Sequence, residues 1–214
     1  MILYGSTMSP FVRKAAAFAA EKGIALDLRP TALGSPDPAF AAASPFGKMP
    51  ALDDSGYTLA DSSAICHYLE AKHPDPALIP AEAQARGRTI WFDEFADTIL
   101  FAAGAAMFFN RVVAPRFLRR AGDLAAADKA EHETLPPLLE YLEGVIPDSG
   151  YLVGDALTLA DLAVASPFAN LAHCGVTIQA TRYPKVAGYT AEILARPSFA
   201  TAIARETAFL ARAV

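Results

Sequence analysis

Twenty residues, Ser44 to Ser63 (SPFGKMPALDDSGYTLADSS), constrain this chain more than any other stretch, because they place two ligand-gripping devices within one turn-linked β-hairpin. Pro50 opens the short apolar run Pro50-Ala51-Leu52; proline has no N–H and forces the residue before it to be extended. Met49 therefore has its own N–H and C=O to offer elsewhere. A cis bond, accessible to X-Pro, would turn those groups outward, so that an extended peptide could pair with them as an added strand. The second device is Asp61-Ser62-Ser63, between the strand-like Tyr57-Thr58-Leu59 and the helical pattern Ala64 to Leu69. Asp61 is a good N-cap there. The Ser62 and Ser63 N–H and hydroxyl groups add to the positive end of the helix dipole, where a carboxylate is held well. A peptide-pairing edge beside an anion site suits a short peptide with a free carboxylate. Each device alone reads more readily as an ordinary turn or an ordinary cap; the Asp53-Asp54-Ser55-Gly56 turn joins the two strands between them.

The rest of the first 75 residues supplies the partners for this hairpin. Met1 to Tyr4 reads as a strand and Gly5 to Ser9 as a small polar loop. Pro10 suits a first helical position, Phe11, Val12, Ala15, Phe18 and Ala19 form an apolar stripe at helical spacing, and Lys22-Gly23 stops the helix. Ile24 to Leu28 alternates like a second strand. Strand, helix and strand imply a parallel pair with a crossover; the hairpin adds two antiparallel strands before a helix from Ser62 to about Lys72. The pattern is a βαβ-ββα unit with a mixed four-stranded sheet. A short helix at Pro38 to Ala43 fits between its halves.

His73-Pro74-Asp75-Pro76 ends that unit, and beyond Ala81 the patterns are helical: Ala83 to about Val113, Leu124 to Val145, Leu159 to about His173, Tyr183 to Ala195, and Ser198 to Arg212. Pro136-Pro137 should kink or split the second of these near Thr134. We expect an α/β domain over 1–75, a linker over 76–84 and an all-α domain over 85–214. Thr158-Leu159-Ala160-Asp161 is a capping-box variant with a structural role for Asp161.

Composition excludes several classes. With 18 basic and 23 acidic residues the net charge is −5, the wrong sign for neutralising phosphates, so nucleic acid is not an expected partner. The longest uncharged apolar stretch, Thr98 to Asn110, is short of a bilayer span, and the N-terminus lacks the basic region of a secretory signal; the expectation is a soluble cytoplasmic protein without a membrane partner. Cys66 and Cys174, the two cysteines, fall in helical patterns and read as small buried hydrophobes, not a disulfide framework.

Four stretches in order, ILYGSTMSPFVRKAAAFAAEKGI, PFGKMPAL followed by LADSSAI, LVGDALTLADLAVA and YPKVAGYTAEILARPSFA, resemble the glutathione S-transferase family over nearly the whole chain, and specifically its cytosolic, serine-type, bacterial-like members. The resemblance implies a thioredoxin-like N-terminal domain, an all-helical C-terminal domain and usually a homodimer. It implies glutathione as co-substrate, with no metal. Met49, beside Pro50, would bond the cysteinyl backbone of glutathione, Ser62, beside Asp61, the γ-glutamyl carboxylate, and Lys48 the glycyl carboxylate, although Lys48 reads as well as a solvated surface lysine. The TMSPFVR stretch looks like the active-site loop of the serine classes, which makes Ser9 the residue that touches the ligand's sulfur. Ser6, Thr7 and Tyr4 are rivals, and Ser9 could equally cap the helix beginning at Pro10. A small hydrophobic electrophile would rest on Met8, Phe11 and the helix carrying Phe101, Met107 and Phe108. The implied reaction is conjugation of the thiolate to the electrophile or peroxide reduction. Glutathione-dependent isomerisation or dehalogenation, and a non-catalytic binding or interaction role, are the alternatives. The loop has no cysteine, which disfavours thiol transfer through a mixed disulfide.

Other candidate chemistry fails on spacing. His132-Glu133 begins an H-E-x-x-H pattern, but residue 136 is proline, so no zinc pair forms. Cys66-His67 and His173-Cys174 are adjacent on helices and point apart. Asp93 and Asp97 share a helix face, and the nearby Glu94, Arg86 and Arg88 suggest a solvated or ion-paired surface in place of a metal site.

Overall fold

The computed structural model describes residues 1–212 apart from Leu33. Its first part is a four-stranded sheet in the order β2-β1-β3-β4, with β1 (Ile2–Tyr4) parallel to β2 (Asp27–Arg29) and antiparallel to β3 (Ala51–Asp54), which pairs antiparallel with β4 (Tyr57–Ala60). The hairpin closes through Ser55 and Gly56, both with positive φ (56° and 94°), the two-residue turn whose twist suits a hairpin. Helix α1 (Pro10–Glu21) is the crossover, α2 (Pro38–Ala43) is the expected short helix, and α3 (Ser62–Lys72) follows the hairpin. The second strand begins three residues later than its alternation predicts. Ile24 N–H is taken by Ala19 C=O at 2.8 Å to finish α1, so it is not free for a ladder.

Among the described residues beyond α3 there is no strand. Helix α4 runs Ala83–Arg116 without a break, loosened to π-type turns over Phe95–Leu100 and Phe109–Val113. Helix α5 covers residues 124–145, and its π-type turn at Ala130–Thr134 lies immediately before Pro136-Pro137, where the missing N–H groups were expected to disturb the helix. Helices α6 (Leu159–His173), α7 (Pro184–Leu194) and α8 (Pro197–Ala211) complete the chain. Helix α6 is buried without interruption from Leu159 to Leu171, and it packs against both α1 and the first part of α4. It is the post on which the two halves meet.

Helix α4 is longer than the uncharged stretch Thr98 to Asn110 that it contains. By length and composition it could cross a membrane, with a mean hydropathy of 1.4 over its best window. Its buried Asp93, however, is paired with Lys14 of α1, and Phe92, Phe95, Leu100 and Met107 are buried, so one face of this helix packs into the assembled fold.

Lys22, at the end of α1, is buried and reaches Glu70 at 2.7 Å and the Pro76 carbonyl at 2.5 Å. Glu70 in turn accepts from Leu78 and Ile79 N–H. The connector after α3 is therefore fastened to the first domain by its backbone, and the long helix α4 starts from a fixed point.

Candidate functional site

The loop after β1 is drawn tightly under the hairpin. Gly5 has φ +140°, and a Cβ built there would lie 2.5 Å from Val12 Cγ2 and 3.2 Å from Met49 Cβ. Only glycine lets this loop, the start of α1 and the Met49 segment approach so closely. The loop then rises through Ser6 to Ser9, with Ser9 N–H bonded to Ser6 C=O at 2.9 Å. Ser9 is the N-cap of α1 by position, half-buried, yet its side chain makes no capping hydrogen bond.

The rival hydroxyls differ. Ser6 Oγ accepts from Met8 N–H. The Thr7 hydroxyl faces Glu206. Tyr4 is 1 % exposed and packs against Phe40, the core position expected of it.

The Met49-Pro50 peptide bond is cis. Ladder pairing in β3 starts at Ala51, and Pro50 C=O is taken by Asp61 N–H at 3.3 Å, so the two devices share a backbone bond. Lys48 is exposed, its carbonyl held by Ser44 Oγ at 2.6 Å.

The second device differs from expectation. Asp61, at φ +83°, accepts from Ser63 N–H at 2.9 Å and Ala64 N–H at 3.0 Å, so a side chain of the protein already occupies part of the helix N-terminus. The Ser62 and Ser63 hydroxyls do not point to an empty anion site either: both donate to Asp97 Oδ2 at 3.3 Å. Of the four groups expected to greet a carboxylate, Ser62 N–H is the one that none of these contacts uses.

Beneath α3 lies a cluster that local sequence patterns did not reveal. Lys14 of α1, 1 % exposed, donates to Asp93 at 2.6 Å, to Asp97 at 2.5 Å and to Ser63 Oγ at 3.1 Å. Burial alone would lower the Lys14 ammonium, but the two carboxylates outweigh it and hold it above the ordinary lysine value. Burial pushes the Asp97 carboxyl up, with Lys14 opposing. Asp93 and Asp97 are thus ion-paired, as one branch of the sequence reading had it. They are not a solvated surface, and their cation comes from α1, not from Arg86 or Arg88. Burial likewise pushes the neighbouring Cys66 thiol up and Cys174 to about 12, so neither is a ready nucleophile.

The apolar wall is only partly as expected. Phe11 and Phe101 meet with ring centroids 4.5 Å apart. Phe108 is half-buried two turns further along α4, and Met8 is half-buried in the loop. Met107 is fully buried and belongs to the core. Among the described residues no group of His, Cys, Asp and Glu is arranged to hold a metal ion.

Similarity to known proteins agrees with this architecture. Residues 3–77 match the glutathione S-transferase N-terminal domain and residues 114–206 the C-terminal domain. A glutathione S-transferase of Hyoscyamus muticus is 30% identical over 209 residues, covering 95% of this chain and 97% of the relative. Glutathione S-transferase 4 of Zea mays is 33% identical, covering 92% of this chain and 88% of the relative. A solved glutathione S-transferase-I bound with lactoylglutathione superposes with a TM-score of 0.84 at 27% identity, covering 95% of this chain and 98% of that one. With the sheet order, the helical second half and matches along nearly its full length all agreeing, the chain belongs to the glutathione S-transferase family.

Proposed function

We propose that the protein binds glutathione across the Met49 and Ser62 devices, stabilises its thiolate with Ser9 and adds it to a hydrophobic electrophile. Residues 1–75 would hold the tripeptide, and the electrophile would rest between Met8 and Phe11 of that part and Phe101 and Phe108 of residues 85–214. Met49 pairs with the cysteinyl backbone, Lys48 with the glycyl carboxylate, and Ser62 with the γ-glutamyl carboxylate. We take the working form to be a cytoplasmic homodimer, the usual state of the family.

The observation that carries the reading is the Ser9 hydroxyl, which sits at a helix N-terminus without being spent on capping it. A free thiol near pKa ~8.5 is only a few per cent ionised at neutral pH. A hydrogen bond to the sulfur anion is worth about 1.5–3 kcal/mol, or one to two pKa units, and the α1 dipole adds a fraction of that. In the conjugation the thiol proton goes to solvent, the sulfur electron pair forms the S–C bond, and the electrophile's leaving group departs with its own pair.

Ser9→Ala should raise the pKa of the bound thiol by about one to two and lower turnover at neutral pH about ten- to hundredfold. The dissociation constant should change far less, because Met49 and Ser62 hold the peptide. Thiolate absorbance titrated in the complex checks the first part. Retained absorbance and rate in Ser9→Ala, with both lost in Thr7→Ala or Tyr4→Phe, would move the role to a rival hydroxyl.

Ser62→Ala should weaken glutathione binding by about 1–3 kcal/mol, because the Ser62 hydroxyl, which donates to Asp97 in the free protein, has to turn to the γ-glutamyl carboxylate on binding, and the loss is that of one charge-assisted hydrogen bond. Asp97 keeps Lys14 and Ser63, so the melting temperature should hold. An unchanged dissociation constant by calorimetry would show that the hydroxyl stays with Asp97 and leave the carboxylate to Ser62 N–H, which alanine keeps, or to another site.

A further inference from the structure

Ser9 lies between two residues whose carbonyls are gripped from α6. Asn170 Nδ2 donates to Met8 C=O at 2.8 Å, and Ser166 Oγ donates to Pro10 C=O at 2.7 Å. Ser166 and Asn170 are one turn apart on α6, 1 % and 4 % exposed. A buried amide is costly unless its partners are in place, and here each end is fixed. Asn170 Oδ1 accepts from Arg13 Nη1 at 2.9 Å, which commits the amide nitrogen to Met8. Arg13 also donates to Ser166 C=O at 2.8 Å and grips Glu206 of α8 with Nε and Nη2, at 3.2 and 2.7 Å. His173 Nε2 reaches the same Glu206 carboxylate at 2.9 Å. The chain of contacts runs from α8 through Arg13 and Asn170 to the residue before Ser9.

We propose that Asn170 is a positioning residue for the reaction: it aims the Ser9 hydroxyl at the glutathione sulfur by holding the Met8 carbonyl, with Ser166 steadying Pro10 on the other side. This rests on the Ser9 role proposed above. Misplacing a reacting group by about 1 Å can cost up to a hundredfold in rate. Fold stability alone does not require Asn170 to reach a loop carbonyl; the Arg13 to Glu206 pair already ties α1 to α8.

Asn170→Asp separates the two duties. The carboxylate keeps the size of the amide and still accepts from Arg13, but at neutral pH it has no proton to give Met8. Expected are a kcat about tenfold lower, a KM for glutathione within twofold of the parent, and a bound-thiol pKa raised in the same direction as in Ser9→Ala. Combined with Ser9→Ala, Asn170→Asp should add nothing, because the group it aims is gone. An equal loss of rate in both backgrounds overturns the proposal, as does a variant that lowers the melting temperature while leaving kcat and the thiol pKa alone. Should Asn170→Asp not fold, Ser166→Ala carries the same cycle. If Ser9→Ala has its effect and neither α6 variant does, the positioning role fails and the Ser9 role stands. If Ser9→Ala itself leaves the thiolate intact, both fall.

Discussion

Replacing Lys14 by methionine is expected to lower folding stability by about 3–5 kcal/mol at neutral pH, the range for breaking a buried ion pair by removing one partner. Methionine keeps the unbranched stem and fills the same volume, so the loss is that of the charge. Without the ammonium, Asp93, at 1 % exposure, and the half-covered Asp97 face each other with only the Ser62 and Ser63 hydroxyls for company. The pH dependence identifies the cause. Asp97 is already held above the ordinary carboxylate value by burial with Lys14 present, and losing Lys14 raises it further. A carboxyl with a raised folded-state value contributes stability that is present below its unfolded value and lost as pH rises through the folded one. The variant should therefore recover part of its deficit as pH falls from 8 towards about 4. Glu206 works in the opposite sense: burial opposes it, but His173 and Arg13 hold it below the ordinary value, so its contribution is lost on acidification. That term is common to parent and variant and cancels in their difference. Urea unfolding at several pH values checks this, and Lys14→Met with Asp93→Leu should regain stability over the single variant, since two matched apolar groups replace an orphaned charge. A deficit independent of pH would show that packing, not charge, was lost.

The elements that were legible in the chain are those whose signals are local. Pro10 marks a helix start, Ser55-Gly56 marks the hairpin turn, and Pro136-Pro137 marks the disturbed turn of α5. Each acts through its own φ or its missing N–H, so no knowledge of the distant chain is needed. The charged network behaves differently. Arg13 and Lys14 stand beside Val12 and Ala15 in an apolar helix, which signals that two long cations must be satisfied somewhere, but not where. Their partners lie 79, 83 and 193 residues away, and only the packing of α1 against α4 and α8 brings them within reach.

The same limit explains the hydroxyls of the candidate site. A serine at a helix start looks identical in sequence whether it caps, greets a ligand or turns to a neighbouring carboxylate. Ser9, with α6 behind it, leaves the capping role unused, whereas Ser62 and Ser63, with Asp97 behind them, are drawn inward. For Ser62 and Ser63 a neighbour contributed by the helical half takes the hydroxyls; around Ser9 the helical half holds the carbonyls on either side. The first domain thus carries the candidate glutathione-binding residues, and the second contacts them from behind through Asp97, Ser166 and Asn170.

Asp161→Ala is expected to lower stability by about 3–5 kcal/mol, at the far end of what single substitutions do. The carboxylate is fully buried and accepts four bonds, from Leu152 N–H at 2.8 Å, Thr158 N–H at 2.8 Å, Thr158 Oγ1 at 3.2 Å and the Tyr189 hydroxyl at 3.2 Å. Removing it strands two backbone donors and the Thr158 hydroxyl away from water, leaving the Tyr189 hydroxyl only the residue-161 carbonyl at 3.4 Å, and each stranded group costs about 1–3 kcal/mol, less than additively once neighbours relax. Burial pushes this carboxyl up while its donors pull it down, so much of its worth lies in geometry rather than charge. Asp161→Asn tests that division. The amide keeps one acceptor but points N–H groups at groups that also donate, so its loss should fall between those of parent and alanine variant. Because Asp161 opens the helix that carries Ser166 and Asn170, the damage should be felt at the site only when α6 frays. At low temperature, with the fold intact, turnover should stay within twofold of the parent. On warming, activity and circular dichroism should fall together at a melting temperature several degrees lower. An alanine variant within 1 kcal/mol of the parent would mean that water reaches the stranded donors, and that the start of α6 is not sealed.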